Sequence, residues 1–227
     1  EIPLLSGKDS MYVDGLLKGA YGERHKVSAL PSLQFSATSV VAEVEKCQSM
    51  DSKIPGDLVY VLGLTRDELG AGEYYEHLGY LGCRVPRVRP AEAFPLYRAL
   101  ATAIEASAVA SVHGVYRGGL GVHLAMVAMG GNLGMALDLA AVPAEPALRP
   151  DRLLFSESAG RFIVTVDPRQ KTRFEGLLAG SVFACIGEVT AAPQIVIDCG
   201  GASGRRILSV PLKELKRAWK APFGDLR

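Results

Sequence analysis

Residues 111–131 read SVHGVYRGGLGVHLAMVAMGG, and this stretch decides the fold class. Ser111 to Tyr116 has the composition of a β-strand, and Leu120 to Met129 is a nearly all-apolar run that predicts a buried helix. Gly118 and Gly119 stand between the two. The stretch therefore predicts a strand that passes through a tight glycine turn directly into a helix, as in an α/β protein.

Strands and helices alternate on both sides of this stretch. The patterns predict strands at Asp57–Leu62, Met135–Leu139, Arg161–Val166, Ser181–Val189 and Gln194–Ile197, and helices at Tyr97–Val109, Pro168–Leu178 and Leu212–Trp219. Pro95 is expected to stand just ahead of the first of these helices. Ala29–Val44 has the look of extended, β-prone chain. Such alternation predicts a layered α/β fold, and it leaves the strand order open.

Composition excludes several classes of protein. An apolar fraction of 48% and a charged fraction of 22% over 227 residues are ordinary for a globular protein. With 25 basic against 24 acidic residues the chain has no nucleic-acid footprint, and no apolar run approaches the ~20 residues of a membrane span. The cysteines lie far apart without CxxC spacing, which favours reduced thiols in a cytoplasmic protein. A start at Glu1, without Met or a signal peptide, predicts a piece of a longer polypeptide.

The glycine turn is the first candidate site. A turn that opens a helix exposes backbone N–H groups at the positive end of the helix dipole, where a phosphate or carboxylate is stabilised. Glycine permits close approach of such an anion because it has no Cβ. Gly118 and Gly119 are therefore candidate phosphate-binding residues, and a purely structural strand-to-helix turn is the alternative.

The hexapeptide SGKDSM, Ser6–Met11, is the second candidate. Lys8 supplies a cation for phosphate, Asp9 a carboxylate for magnesium and Ser10 a hydroxyl for either. The GxxxxGK spacing of a Walker loop is absent, and a solvated loop is the alternative reading. The first thirty residues around this motif contain too few apolar positions to form a domain by themselves.

Two further segments carry clusters of polar residues. TRDELGAGEYY, Thr65–Tyr75, is consistent with a solvated charged turn whose tyrosines fill the edge of the core. In FSESAGR, Ser156 is a candidate cap for a helix start and Glu157 an ordinary surface carboxylate. The histidines predict no metal site, because His113 and His123 are ten residues apart, and His123 on the buried helix is expected to be a hydrogen-bonded core residue.

The order and spacing of these motifs resemble a known family. SGKDSM, GDLVYVLGLTRDELGAGEYY, VHGVYRGGLGVHLAMVAMGG, LLFSESAGRFIVTV and ACIGEVT follow one another as in the second half of the phosphoribosylformylglycinamidine synthases, which are related to aminoimidazole ribonucleotide synthetase. The resemblance runs from Ser6 to about Trp219. It implies that residues 1–30 are the tail of a truncated N-terminal synthetase-type domain. Residues 31–227 would then form a C-terminal synthetase-type domain, an α/β domain with α/β/α layers.

The same resemblance implies an activity. Synthases of this family convert formylglycinamide ribonucleotide and ammonia to formylglycinamidine ribonucleotide in purine synthesis, with ATP and Mg²⁺ as cofactors. A glutaminase subunit or domain supplies the ammonia, a small accessory subunit is a further implied partner, and neither nucleic acid nor membrane is involved. The isolated fragment is expected to be inactive. His113, Glu157 and Ser158 are expected in the substrate cleft, Lys8, Asp9 and Ser10 at the nucleotide, and Asp9 at the metal.

The chain departs from the family at two acidic positions. The family usually reads H-D-x-S-D-G-G-L where this chain reads HGVYRGGL, so that Gly114 and Arg117 replace acids. Glycine has no group that could hold magnesium, whereas Arg117 beside Gly118 and Gly119 is expected to bind a phosphate without a metal. Two alternatives stay open. One is another superfamily member such as selenophosphate synthetase, and the other is a catalytically dead nucleotide-binding or scaffold homologue, which the lost acids favour.

Overall fold

The computed structural model describes Gly7 and residues 14–19, 21–28, 35–200 and 204–224. By its internal contacts the chain divides into two compact units, Glu1–Ala42 and Glu43–Arg227. The predicted nucleotide and metal residues Lys8, Asp9 and Ser10 belong by position to the first unit and lie outside the described residues.

A two-stranded hairpin is the described secondary structure of the first unit. Strand β1 (Asp14–Lys18) pairs antiparallel with β2 (Arg24–Ser28), and the side chains of both strands are exposed throughout. The Ser28 hydroxyl donates to Asp14 Oδ1 at 2.6 Å across the open end of the hairpin. Because all of these side chains are exposed, the two strands form no hydrophobic core of their own. An isolated two-stranded hairpin of this kind is only marginally stable in water.

The second unit is built on one large sheet. Its described strands are β3 (Leu58–Leu62), β4 (Ser111–Val115), β5 (Gly134–Asp138), β6 (Arg161–Val166), β7 (Phe183–Thr190), β8 (Gln194–Cys199) and β9 (Arg205–Pro211). They lie in the order β4-β6-β3-β7-β5-β8-β9. Only β5 and β8 are parallel neighbours among these strands, and the other pairs are antiparallel. The predicted α/β class is confirmed, with a mixed sheet.

Helices cover both faces of this sheet. They are α1 (Glu73–His77), α2 (Pro90–Glu105), α3 (Gly119–Gly131), α4 (Pro150–Phe155), α5 (Lys171–Leu177) and α6 (Leu212–Lys220). Helices α3, α4 and α6 contribute to one hydrophobic core, and α2 and α5 to a second. Successive side chains of β3 alternate between the cores, Val59 in the first and Tyr60 in the second, as the pleat of a strand requires. The sheet is thus the middle layer of an α/β/α arrangement.

The predicted position of Pro95 is wrong. Helix α2 begins at Pro90, so Pro95 lies inside it, and the helix ends at Glu105 instead of Val109. Pro90 occupies the first helical position, where the missing N–H has no helical partner and the fixed φ suits a helix start. Pro95 follows in the second turn, where it removes one helical hydrogen bond.

Two other local predictions differ from the structure. Of the predicted β-prone segment Ala29–Val44, residues 29–34 lie outside the described residues, residues 35–43 form no strand, and Val44 begins a 3-10 turn that ends at Lys46. Apolar side chains in this segment, such as Phe35 and Val40, are exposed, and β-propensity without a neighbouring strand does not make a sheet. Ser156 does not cap a helix start but follows the last residue of α4.

The cysteine and membrane predictions can be compared directly with the structure. The four cysteines are free thiols: Cys47, Cys83, Cys185 and Cys199. Among the described residues, no helix combines the length and the apolar character that crossing a bilayer would take.

Candidate functional site

The glycine turn joins β4 to α3. Gly118 has a φ of 94° and Gly119 a φ of 75°, a backbone conformation that residues with a Cβ rarely adopt. A Cβ on Gly119 would lie 2.6 Å from the carbonyl carbon of Phe155. The end of α4 therefore fits against the start of α3 only because residue 119 has no side chain.

The Glu157 carboxylate lies at this turn. Its Oε1 atom accepts the N–H of Gly118 at 2.8 Å and the N–H of Glu73 at 2.9 Å. A backbone N–H at a helix start is expected to bind an external phosphate or carboxylate, and here it binds an internal carboxylate. Glu157 thereby connects the start of α3 to the start of α1 through a single oxygen atom.

Arg117 faces α1. Its guanidinium forms ion pairs with Glu73 and with Glu76, the latter at 3.5 Å between Nη2 and Oε2, while its side chain stays 72% exposed. Exposed pairs of this kind contribute little to stability, about 0–1 kcal/mol each. The guanidinium is already neutralised by two carboxylates, so a phosphate at this position would have to compete with them.

His113 and His123 form a direct imidazole–imidazole hydrogen bond. His113 Nε2 lies 2.9 Å from His123 Nδ1, and the other nitrogen of His123, Nε2, accepts the Tyr116 N–H at 3.0 Å. Burial lowers the pKa of both imidazoles, and the neighbouring His123 lowers the pKa of His113 further. His123 is 4% exposed and hydrogen-bonded, which confirms its prediction as a core histidine.

Arg161 is a residue that the motifs did not single out. It begins β6, is 1% exposed, and donates to the carbonyls of Ser158 at 3.0 Å and of Ser156, and to Thr65 Oγ1 at 2.9 Å. Burial lowers the pKa of Arg161 to about 10, while the charges of two nearby glutamates act in the opposite direction. Its sequence signal was a charged residue at the start of the mainly apolar strand RFIVTV.

Two serines form hydrogen bonds with the backbone of the loop at residues 66–68. Ser158 Oγ accepts the Arg66 N–H at 2.9 Å, and Ser156 Oγ donates to the Arg66 carbonyl at 2.5 Å. Ser156 Oγ also accepts the Glu68 N–H at 3.3 Å. The motifs TRDEL and SES are thus bound to each other, although about ninety residues separate them in sequence.

The stretch TRDELGAGEYY is more ordered than a solvated turn. Glu68 is 5% exposed and pairs with Arg89 at 2.7 Å. Tyr74, on α1, stacks on Phe155 with ring centroids 4.7 Å apart and planes 10° apart. The expectation that the tyrosines fill the core edge agrees with this stacking, whereas the burial of Glu68 was not expected.

The three residues predicted for the substrate cleft, His113, Glu157 and Ser158, lie near the glycine turn. Glu157 contacts the glycine turn, His113 reaches the turn through His123, and Ser158 holds the adjacent loop. None of these three lines the open cleft of about 400 Å³ between the start of α2 and the loops after β3 and before β7. That cleft is bordered instead by residues such as Leu64, Tyr97 and Gly160.

The chain matches a known domain family. Residues 55–200 match the family described as AIR synthase related protein, C-terminal domain. This range contains the sheet from β3 to β8, the glycine turn, Glu157 and Arg161.

Two similar curated proteins, both named phosphoribosylformylglycinamidine synthase subunit PurL, align with most of this chain. The phosphoribosylformylglycinamidine synthase subunit PurL of Thermococcus sibiricus is 37% identical over 147 residues, which are 65% of this chain and 20% of that protein. PurL of Methanocaldococcus jannaschii is 33% identical over 228 aligned positions, which cover 98% of this chain and 29% of that protein. The chain therefore spans less than a third of the length of these relatives.

Solved structures share the fold. Thermotoga maritima PurL complexed with FGAR has a TM-score of 0.67 at 20% identity, covering 76% of this chain and 30% of that one. Hydrogenase maturation protein HypE in complex with ATP has a TM-score of 0.53 at 17% identity, covering 74% and 55%. The similarity to both proteins is one of architecture. By the match over residues 55–200, the chain belongs to the family of AIR synthase related protein C-terminal domains.

Proposed function

We propose that this chain is a C-terminal part of an ATP-dependent phosphoribosylformylglycinamidine synthase, a ligase of purine biosynthesis in the cytoplasm. The observation that carries the proposal is the 33% identity to Methanocaldococcus jannaschii PurL across 98% of the chain. In this proposal residues 1–30 are the tail of an N-terminal synthetase-type domain, and residues 31–227 are the C-terminal domain. Turnover then belongs to the longer protein.

The proposed ligands and partners follow those of the structural relatives. Thermotoga maritima PurL has been solved with FGAR and with ATP, which supports formylglycinamide ribonucleotide and ATP as ligands of the complete protein. A PurLQS structure from the same organism supports a glutaminase subunit or domain as a partner. A small accessory subunit is proposed on the family resemblance alone. Magnesium is proposed on the family resemblance alone.

The described residues do not fit magnesium at the glycine turn. Position 114 is a glycine and position 117 an arginine paired with Glu73 and Glu76. Within residues 35–200 and the other described segments, no three His, Cys, Asp or Glu side chains come together as metal ligands. Asp9, the proposed metal ligand, lies outside the described residues, and Lys8 and Ser10 beside it remain proposed nucleotide contacts.

At the turn itself, the residues fit an anion only after a rearrangement. Gly118 N–H is bonded to Glu157 at 2.8 Å, and Arg117 is held by two carboxylates. For Arg117, Gly118 and Gly119 to bind a phosphate, Glu157 would have to leave the Gly118 N–H. In this arrangement Glu157 holds the glycine turn and Ser158 holds the loop at Arg66, while His113 lies behind the turn. We therefore assign Glu157 and Ser158 as positioning residues of the proposed substrate cleft.

A second candidate is a catalytically dead scaffold homologue. The observation that favours it is that side chains of the protein itself bind the groups of the turn. The Glu157 carboxylate accepts the Gly118 N–H, and Arg117 forms ion pairs with glutamates of α1. A protein that has filled its anion site with its own side chains needs no nucleotide there. This candidate and the synthase fragment predict opposite results in a complete protein.

A chimera tests the two candidates. The segment of Methanocaldococcus jannaschii PurL that aligns with this chain is replaced by the chain, and amidine formation is measured with ATP, ammonia and formylglycinamide ribonucleotide. We expect turnover by the chimera and none by the isolated chain. Within the chimera, Arg117→Ala should raise the KM for ATP if the turn binds phosphate. Arg169→Ala, which removes an exposed arginine paired with Asp167, is the matched control.

The outcomes separate clearly. Turnover by the isolated chain would contradict the fragment proposal. A chimera that unfolds cooperatively, and is therefore folded, but shows no turnover would support the dead homologue. Equal KM values for ATP in the Arg117→Ala and Arg169→Ala chimeras would remove Arg117 from the nucleotide site without affecting the synthase proposal.

A further inference from the structure

In the His113–His123 pair behind the glycine turn, one ring nitrogen of His123 lies within hydrogen-bond distance of two backbone groups. His123 Nε2 lies 3.0 Å from the Tyr116 nitrogen, which can only donate, and 3.2 Å from the Arg117 carbonyl oxygen, which can only accept. Since one ring nitrogen cannot accept and donate at once, it bonds to one of the two. The proton on Nε2 decides which one.

Counting protons over the four ring nitrogens gives the possible states. A neutral pair carries two protons, and one of them lies in the bond between His113 Nε2 and His123 Nδ1. The other sits either on His113 Nδ1, so that His123 Nε2 accepts the Tyr116 N–H, or on His123 Nε2, which then donates to the Arg117 carbonyl. A third proton fills both outer nitrogens. In every singly charged state with the bridge intact, His123 Nε2 is therefore a donor.

We propose that the second proton of the neutral pair lies on His113 Nδ1, so that His123 Nε2 accepts the Tyr116 N–H, the shorter of its two backbone contacts. The pair is then a proton-operated switch: uptake of one proton moves the hydrogen bond of His123 Nε2 from the Tyr116 N–H to the Arg117 carbonyl. In the neutral state with His123 Nε2 as acceptor, His113 Nδ1 already carries the outer proton, so the added proton binds His123 Nε2. A shift of the bridging proton along the pair then places the added charge on either ring. No atom other than protons has to be exchanged.

The switch acts on the peptide unit that carries Glu157. The Arg117 carbonyl and the Gly118 N–H belong to the same peptide group, and this N–H donates to Glu157 at 2.8 Å. A hydrogen bond to the carbonyl side of a peptide polarises its N–H and strengthens the bond that the N–H donates. Protonation should therefore tighten the Gly118–Glu157 bond while it releases the Tyr116 N–H.

The charged groups around the pair set the pH range. Arg161 of β6 opposes protonation of His123, and Glu157 in the loop before β6 favours it. Tyr116 packs its ring edge-on against both imidazoles, and the exposed Arg117 adjoins it in the turn. Burial dominates and lowers both pKa values. The switch therefore operates below the ordinary histidine pKa of about 6.5.

The stability of the fold should follow the same sign. Below a pH of about 6.5 the two histidines are protonated in the unfolded chain but still neutral in the folded chain, because folding lowers their pKa values. Falling pH therefore favours the unfolded chain. The contribution of the pair to stability is thus complete above this pH and is lost as the pH falls toward the folded pKa values.

Nitrogen–nitrogen couplings across hydrogen bonds test the switch in the 227-residue chain. With ¹⁵N labelling, N–H···N bonds give scalar couplings between the two nitrogens, here Tyr116 N with His123 Nε2 and His113 Nε2 with His123 Nδ1. We expect both couplings at pH 8. As the pH falls below about 6.5, the Tyr116 coupling should disappear together with the titration of the imidazoles, while the imidazole–imidazole coupling survives the first proton.

Two variants complete the test. His113→Gln keeps a polar side chain but cannot share a proton, so the midpoint at the Tyr116 amide should move to lower pH. His77→Gln removes an exposed histidine on α1 and should leave that midpoint unchanged. A Tyr116 coupling that persists while both rings titrate overturns the proposal, as does an unchanged midpoint in a folded His113→Gln variant. If that variant does not fold, the couplings of the natural chain decide. None of this depends on synthase activity.

Discussion

At the scale of single residues, Arg161, the last residue of the FSESAGR motif, holds together the backbone next to the glycine turn. Its guanidinium is buried, yet its bonds go to two carbonyls and a threonine hydroxyl, with no carboxylate among its described hydrogen-bond acceptors. The planar fork of arginine suits three acceptors in fixed directions. By holding the Ser156 and Ser158 carbonyls, Arg161 fixes the backbone on both sides of Glu157, so that the carboxylate reaches Gly118.

Replacing Arg161 should be costly. Arg161→Met leaves three buried acceptors without a donor, and we expect a loss of about 2–5 kcal/mol in the free energy of unfolding, measured by urea denaturation. Arg161→Lys keeps the charge but not the fork and should recover only part of this. Arg169→Met, at an exposed surface pair, should change stability by less than about 0.5 kcal/mol. Equal effects of Arg161→Met and Arg169→Met would contradict the role given to Arg161.

Some residues of the site could be predicted and others could not. Gly118, Gly119 and the buried His123 follow from local pattern, because a strand, a glycine pair and an apolar run are neighbours in sequence. Glu157 reaches Gly118 across 39 positions, a contact that no spacing rule contains. The assignment of Arg117, Gly118 and Gly119 to a phosphate remains a prediction.

At the scale of elements, the contact between α4 and α3 depends on one missing side chain. Gly119 opens α3 where the backbone of Phe155 closes α4, with room for no Cβ. From α1, Tyr74 stacks on the Phe155 ring. Three helices therefore meet at Phe155, and the glycine determines how closely α3 can approach.

Two glycine substitutions test this contact. Gly119→Ala combines a positive φ with a collision against backbone atoms, and we expect a loss of about 2–4 kcal/mol in unfolding free energy. Gly176→Ala, in α5, meets no atom within 4 Å and should stabilise the helix by up to about 1 kcal/mol. Both are read from urea unfolding followed by circular dichroism. A neutral Gly119→Ala would show that α4 can move away freely.

Elements were predictable where their pattern is complete. The strand Arg161–Val166 agrees with β6 residue for residue, because an apolar run there is bounded by Gly160 and Pro168. The exposed edge strand β9 and the six-residue α4 escaped prediction. An edge strand exists through its neighbour's hydrogen bonds, and a single-turn helix through packing, so neither leaves a periodic signature.

At the scale of the whole molecule, the two units differ in how much they bury. The second unit has two hydrophobic cores, one on each face of its sheet. The described strands of the first unit expose every side chain, including Leu16 and Leu17. A segment without buried apolar surface gains little from its own folding, so the units should differ in local stability.

Hydrogen exchange should display this difference. Amides of β1 and β2 are expected to exchange through small local openings, whereas amides in the middle of α3, such as Leu124 and Val127, should exchange only through near-global unfolding. The measurement is exchange mass spectrometry on the intact chain, with β6 as an internal reference for the sheet. Protection of the hairpin equal to that of α3 would mean that residues 14–28 are stabilised by a substantial core.

The strand order also has a consequence for how the chain emerges from the ribosome. Strand β3 lies in the sheet between β6 and β7, and its Leu62 pairs with Phe162, 100 positions further on. At about 5–20 residues per second, this strand is translated roughly 5–20 s before its first neighbour exists. Until then an apolar segment, Val59 to Leu62, has both edges unpaired, the condition under which nascent chains aggregate or recruit chaperones. Among the described strands of the sheet, the largely buried β3 is thus the one that waits longest for its neighbours during synthesis.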